Sequence, residues 1–261
     1  MKPLPYSLDR NILIEADRET VFGFFTDSAR WASWWGSGST VDPKPGGALR
    51  IRHSNGFISD GQVLEIAAPE RFVFTFSLQS APPVSAEDSR VTIRLEQQAA
   101  GTMLRLTHEL ADAVVRDQMV QGWRFHFSVF ANVVANLVNA GAPELVDRWF
   151  ALWTEPDAAA REAALRRIAW PGVRFRDRFS RLDGIEDVVA HVGASQRFMP
   201  GMGLERTGAV RHCQGTVLAD WVAKSTDGQV KMSGTSVLVL GQSANKEVKI
   251  ELVTSVANPT S

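Results

Sequence analysis

From Asp112 to Gly141 the chain reads "DAVVRDQMVQGWRFHFSVFANVVANLVNAG", a long run with no proline and a glycine at its end. The run predicts one helix, capped by Asp112 and stopped by Gly141, about 43 Å long at 1.5 Å per residue. One apolar stripe carries Val115, Met119, Trp123, Phe127, Phe130, Val134 and Val138, and a second, offset stripe carries Val120, Phe125, Val129, Val133 and Leu137. A helix apolar over that much of its circumference cannot lie on a sheet with its other side in water. It needs a second cover, and a second domain and a second copy of the chain, as a homodimer, are the competing candidates.

The residues before this helix predict the sheet. "SLDRNILIEA" alternates, with Leu8, Ile12 and Ile14 on one face, and reads as a half-buried strand. Asp17 caps a helix through "RETVFGFFTD", and "SARWASWW" forms a second short helix that "GSG" ends. Strands follow in "ALRIRH", "ISDGQVLEIA", "RFVFTFSL", "RVTIRLEQ" and "TMLRLTHEL", separated by turn signals such as "KPGG", "AAPE", "APP" and "AAG". Phe72, Phe74, Phe76 and Leu78 share one side of their strand, and His108 shares a face with Leu104, Leu106 and Leu110, which points it inward.

Three of the eight tryptophans fall within "WASWW". Trp31 neighbours both Trp34 and Trp35 at helical spacing, so the three predict one aromatic surface, either a plug in the core or the wall of a ligand cavity. His126 lies between the stripes of the long helix, and His53 ends a strand near a turn. No spacing among these histidines matches a zinc signature, and neither a metal site nor a cofactor is expected.

The order of one strand, two short helices, an antiparallel meander and one long helix resembles the START/Bet v 1-like (SRPBCC) superfamily, in the branch of the activator of heat-shock-protein ATPase homologues. The resemblance covers residues 7–140 and rests on "IEADRETVFGFFTDSARWASWWG", "GQVLEIAAPERFVFTF", "MLRLTHEL" and "GWRFHFSVF". It implies a helix-grip fold, a curved antiparallel sheet around the long helix, with an apolar cavity between them. It also implies Trp34, Trp35, Phe74, Phe76, His108, Trp123 and Phe127 as ligand-binding residues.

In the second half, "PELVDRWFALWT", "DAAAREAALRRIA" and "GIEDVVAHVGASQRFM" predict helices, and Pro143 and Glu144 suit a first helical turn. "VRFRDRF", "LERTGAVRH", "TVLADWVAK", "KMSGTSVLVL" and "KEVKIELVTS" predict strands, so the class is again α+β. By alternation Val173, Phe175, Asp177 and Phe179 share an inward face, His212 falls on the face of Leu204 and Val210, and Glu251 points outward from Val248, Ile250 and Leu252. An inward Asp177 would have its pKa raised by burial, as a general acid/base near neutrality requires, and an Asp177–His212 pair is the candidate catalytic constellation. Arg174, Arg176 and Arg178 form a solvated or interface row. This half resembles the SnoaL-like polyketide cyclases of the nuclear-transport-factor-two-like fold over residues 144–255, on "ELVDRWFALWT", "VRFRDRFSRLDGIEDVVAHV" and "LADWVAK". The resemblance implies a cone-shaped α+β barrel with an apolar pocket, and favours Trp221 over Asp220 as the pocket residue. The family's acid belongs near the last strands, where this chain offers no inward carboxylate.

The expected organisation is thus a helix-grip domain over residues 1–141 and a cone-fold domain over 142–261. Neither half has a basic excess: residues 1–140 carry 13 basic and 15 acidic side chains and residues 141–261 carry 15 and 14, which disfavours nucleic acid. One cysteine, Cys213, allows no intrachain disulfide, and no secretory signal or membrane span is evident, so the expected location is cytoplasmic. The expected function is binding of a small hydrophobic ligand, aromatic, polyketide or lipid-like. Its alternatives are a cyclase or isomerase and, from the family name alone, a chaperone-associated interaction protein.

Overall fold

The computed structural model describes residues 3–80, 82–242 and 247–259. Ala81 of the predicted "APP" turn and Lys246 at the start of the last predicted strand lie outside these residues. The chain is α+β, with two sheets and, among the described residues, six α-helices. Its contacts divide it into two compact units, Met1–Val134 and Ala135–Ser261.

In the first unit β1 (Tyr6–Ile14) is followed by α1 (Arg18–Thr26), α2 (Ser28–Trp35), β2 (Thr40–Val41), β3 (Ala48–Arg52), β4 (Ile58–Ala67), β5 (Arg71–Phe76), β6 (Ser89–Gln98), β7 (Gly101–Leu110) and α3 (Ala113–Val138), whose last turn, from Ala135, belongs to the second unit. The seven strands lie in the order β1-β7-β6-β5-β4-β3-β2, antiparallel throughout. The first strand closes on the last, which places the alternate residues of both over one core. The helix caps are those the sequence predicts: Asp17 accepts the Thr20 N–H at 2.9 Å, and Asp112 accepts those of Val114 and Val115 at 2.8 and 3.0 Å. On α3 the first stripe is buried at Val115, Trp123, Phe127, Phe130 and Val134. The second is not covered as expected: Phe125 is 64% and Leu137 44% exposed, because the first stripe alone supplies the rings that meet the core aromatics.

The second unit contains α4 (Ala142–Ala151), α5 (Ala158–Ile168), β8 (Ala169–Arg176), β9 (Arg181–Asp183), α6 (Ile185–Phe198), β10 (Gly203–Cys213), β11 (Thr216–Lys224), β12 (Val230–Gln242) and β13 (Val248–Ala257). The sheet order is β10-β11-β12-β13-β8-β9, with the β13–β8 pair parallel and the others antiparallel. Trp149, Phe150, Leu165, Val173, Phe175, Val188, Val192, Val217, Leu238 and Val253 form its core.

Two irregularities overturn strict alternation. The strand predicted through Phe179 ends at Arg176, where Asp177 N–H bonds Ser180 O in a tight turn, and Phe179 emerges 75% exposed. A register shift opposite Val239/Leu240 turns β13 over after Ile250, so Val253 replaces Leu252 on the inner face while Glu251 stays exposed. One extra residue is enough to exchange the faces of everything downstream.

Candidate functional site

The tryptophans of α2 are delivered by helical spacing and consumed by packing. Trp31 meets Trp34 and Trp35 with ring centroids 5.2 and 5.7 Å apart, and Trp34 meets Trp35 at 4.4 Å. Phe74 packs on Trp31, Phe76 on Trp35 and His108, and Trp123 on Trp35 and Phe127. The residues expected to line a cavity in this unit therefore cover one another's faces. His108 is fully buried, bonded through Nε2 to Ser89 Oγ at 2.9 Å and through Nδ1 to the indole N–H of Trp123 at 3.0 Å. Burial pushes its pKa down to about 3, so the ring is neutral. His126 stacks 4.3 Å from Trp35 and is lowered to about 4, mainly by burial.

The second unit holds an apolar pocket of about 230 Å³. Phe175 from β8, Trp153 from the turn after α4, Met202 and Leu204 at the start of β10, Trp221 from β11 and Met232 from β12 supply its walls. Trp153 is held in place from behind: Gln196 on α6 donates to the backbone carbonyls of Trp153 and Glu155, and buried Arg161 on α5 donates to Glu155 O and Gln196 Oε1. Trp221 faces inward while Asp220 turns outward to Arg211 and Thr235. The indole of Trp221 lies flat over Gly234, where a Cβ would come within 2.5 Å of its Cζ2.

Asp177 and His191 bring polar chemistry to one wall. Asp177 is placed by the turn after β8, with Oδ1 accepting the Phe179 N–H at 2.8 Å; its side chain is 19% exposed. His191 is placed by α6, three residues after the buried Val188 and four before Ser195, which also lines the pocket. Its ring packs edge-on to Trp153 and against Phe175, its Nδ1 lies 3.2 Å from Ser180 Oγ, and its Nε2 lies 4.0 Å from Asp177 Oδ2. The partner expected for Asp177 was His212, and the structure does not bring these two together. His212 sits on the edge strand β10, separated from β8 by β11, β12 and β13. Both of its nitrogens are engaged, Nδ1 2.9 Å from Asn136 Oδ1 and Nε2 accepting the Gly215 N–H at 3.0 Å. His191 was legible as an inward helical residue from its spacing to Val188 and Ser195, a signal the strand-parity argument did not use.

Residues 15–135 match the family described as "Activator of Hsp90 ATPase homolog 1-like protein". A search of curated proteins returned no match. Solved structures similar to parts of this chain include an inferred isomerase of the SnoaL-like family from Agrobacterium tumefaciens, 19% identical, covering 44% of this chain and 96% of its own, with a TM-score of 0.41. The Aha1 dimer from Colwellia psychrerythraea is 16% identical over 48% of this chain and 92% of its own, with a TM-score of 0.40. CalU16 from Micromonospora echinospora is 21% identical over 48% of this chain and 75% of its own, also at 0.40.

Proposed function

We propose that the protein binds a small hydrophobic molecule in the pocket of the second unit, between Phe175, Trp153, Met202, Trp221 and Met232. In this reading residues 1–141 form a helix-grip domain of the SRPBCC kind whose tryptophans are structural, and residues 142–261 form a SnoaL-like cone. The observation that carries it is the pocket itself: ring and thioether walls around about 230 Å³, with the Asp177 carboxylate, the His191 imidazole and Arg178 among the lining groups. That volume is below the 300 Å³ or so of ordinary ligand sites, which points to a compact one- or two-ring molecule.

A second reading, acid/base chemistry of the isomerase or cyclase type, is favoured by the Asp177–His191 arrangement. The Ser180 hydroxyl lies 3.2 Å from Nδ1 and the Asp177 carboxylate 4.0 Å from Nε2, so the two ring nitrogens each face a polar group of the same turn. Such a pair can take a proton from one carbon of a bound ligand and return it at another, with no net change in composition.

The test is a fluorescence titration with 2-naphthol, together with native mass spectrometry of the purified chain. Met232→Trp, which fills the pocket, should abolish saturable binding in a folded protein. Asp177→Asn should keep affinity for the naphthol, and should stop turnover of any co-purifying ligand that the wild type converts. Unchanged binding in Met232→Trp would remove the pocket from consideration.

A further inference from the structure

The two most exposed large apolar side chains of the second unit, among the described residues, belong to the segments around the mouth of this pocket: Phe198 is 85% exposed and Phe179 75%. Phe179 and the half-exposed Met199 belong to the pocket lining, so they stand at its rim. Phe198 follows His191 by seven and Ser195 by three residues on α6, so it projects from the same helix face as these two lining residues, one turn further out. Large side chains are not left in water around a cavity opening without an occupant for them.

The charges on the same segments choose that occupant. Residues 177–181, 197–202 and 224–231 carry Arg178, Arg181, Arg197, Lys224 and Lys231 against Asp177 and Asp227. Asp177 is turned into the pocket wall, and Asp227 is bonded to Ser225 and Gln229 within its own hairpin. Lys224 is paired with Glu205, while Arg178, Arg181, Arg197 and Lys231 have no carboxylate within ion-pair distance among the described residues. Arg178 instead lies over the Phe179 ring, 4.8 Å from its centroid, and with that ring it belongs to the pocket lining.

Exposed aromatics flanked by unpaired cations are the composition of a surface that sits in the headgroup layer of an anionic bilayer. We infer that the rim formed by Phe179, Phe198 and Met199, with Arg178, Arg181, Arg197 and Lys231 around it, docks on an anionic lipid surface and opens the pocket toward the acyl chains. Docked this way, an apolar ligand passes from bilayer to pocket without crossing water. The purpose of the docking rests on the pocket reading above; the docking itself does not.

The experiment is co-sedimentation of the full chain with vesicles of phosphatidylcholine containing 30% phosphatidylserine, and with vesicles of phosphatidylcholine alone, with 2-naphthol titration run separately without vesicles. Expected is at least ten-fold stronger binding to the anionic vesicles, lost at high salt, since each cation near such a surface contributes roughly five-fold. Phe198→Ser and the pair Arg197→Gln/Lys231→Gln should each weaken sedimentation by five-fold or more and leave naphthol affinity unchanged. Absence of vesicle binding with naphthol binding intact overturns the inference and spares the pocket. Vesicle binding without naphthol binding supports the docking surface and removes the pocket reading. Equal binding to both vesicle types, or a concentration-dependent dimer that Phe198→Ser dissolves, overturns it in favour of a purely apolar contact or a second copy of the chain.

Discussion

Trp123 donates its indole N–H to Nδ1 of His108 across 3.0 Å, with both side chains buried. An indole nitrogen only donates, so this bond fixes Nδ1 as the acceptor and leaves the proton of the neutral ring on Nε2, which then donates to Ser89 Oγ at 2.9 Å. Side chains from α3, β7 and β6 are thereby joined in one buried hydrogen-bonded chain.

Removing the donor exposes the cost of that bond. Trp123→Phe leaves Nδ1 buried and unpaired and should destabilise the first unit by about 1–3 kcal/mol beyond the lost packing. Urea unfolding followed by hydrogen exchange at β6 and β7 measures it. Combination with His108→Leu should recover part of the loss; strict additivity of the two would show that the bond contributes nothing.

Acid should loosen the same region. His108 and His126 have folded pKa values of about 3 and about 4, below the unfolded value near 6.5, so the unfolded chain binds more protons as pH falls. Their contribution is fully present above about pH 6.5 and drains away below it, by about 1.4 kcal/mol per pH unit for each ring until its folded pKa is reached. Hydrogen exchange at pH 7 and pH 5 should show faster opening of β7 and α3 at the lower pH. His126→Gln should flatten the dependence.

Gly234 is a test of how Trp221 is aimed. Gly234→Ala drives a methyl group against the Val256 carbonyl of β13 and to within 2.5 Å of the Trp221 indole, so both the strand pairing and the ring are displaced. A loss of about 1–3 kcal/mol of stability is expected from overpacking, together with at least a ten-fold loss of 2-naphthol affinity. Unchanged affinity would mean that β13 yields to the methyl group and the Trp221 ring keeps its place in the wall.

The two histidines of the second unit should behave differently. His212→Ala removes a bond to Asn136 at the sheet edge and is expected to leave ligand affinity within two-fold of wild type. His191→Ala opens a hole between Trp153 and Phe175 and should weaken 2-naphthol binding by ten-fold or more. The reverse ranking would return the site to the far edge of the sheet.

Periodicity made the elements legible. Six of the seven strands of the first unit, all but the short β2, the caps at Asp17 and Asp112 and the inward direction of His108 follow from local spacing, because side-chain direction within an unbroken helix or strand is a local property. The candidate site was half legible. Alternation placed Asp177 on an inward face, and Trp221 was favoured over Asp220 only by resemblance; the partner of Asp177 could not be chosen by parity, since parity says which face a residue takes and not which strand lies beside it.

By itself, then, the sequence determined the α+β class, the long α3 with its buried stripe, and the aromatic composition of both interiors, all of which depend on short-range patterns of hydrophobic and polar residues. The tertiary structure decided the rest. Strand order set His212 apart from Asp177, the turn at 177–180 put Phe179 outside, the register shift in β13 exchanged its faces, and α6 carried His191 to the carboxylate. Each of these depends on which distant segments pack together, a global minimum of buried area and satisfied hydrogen bonds that no local window contains.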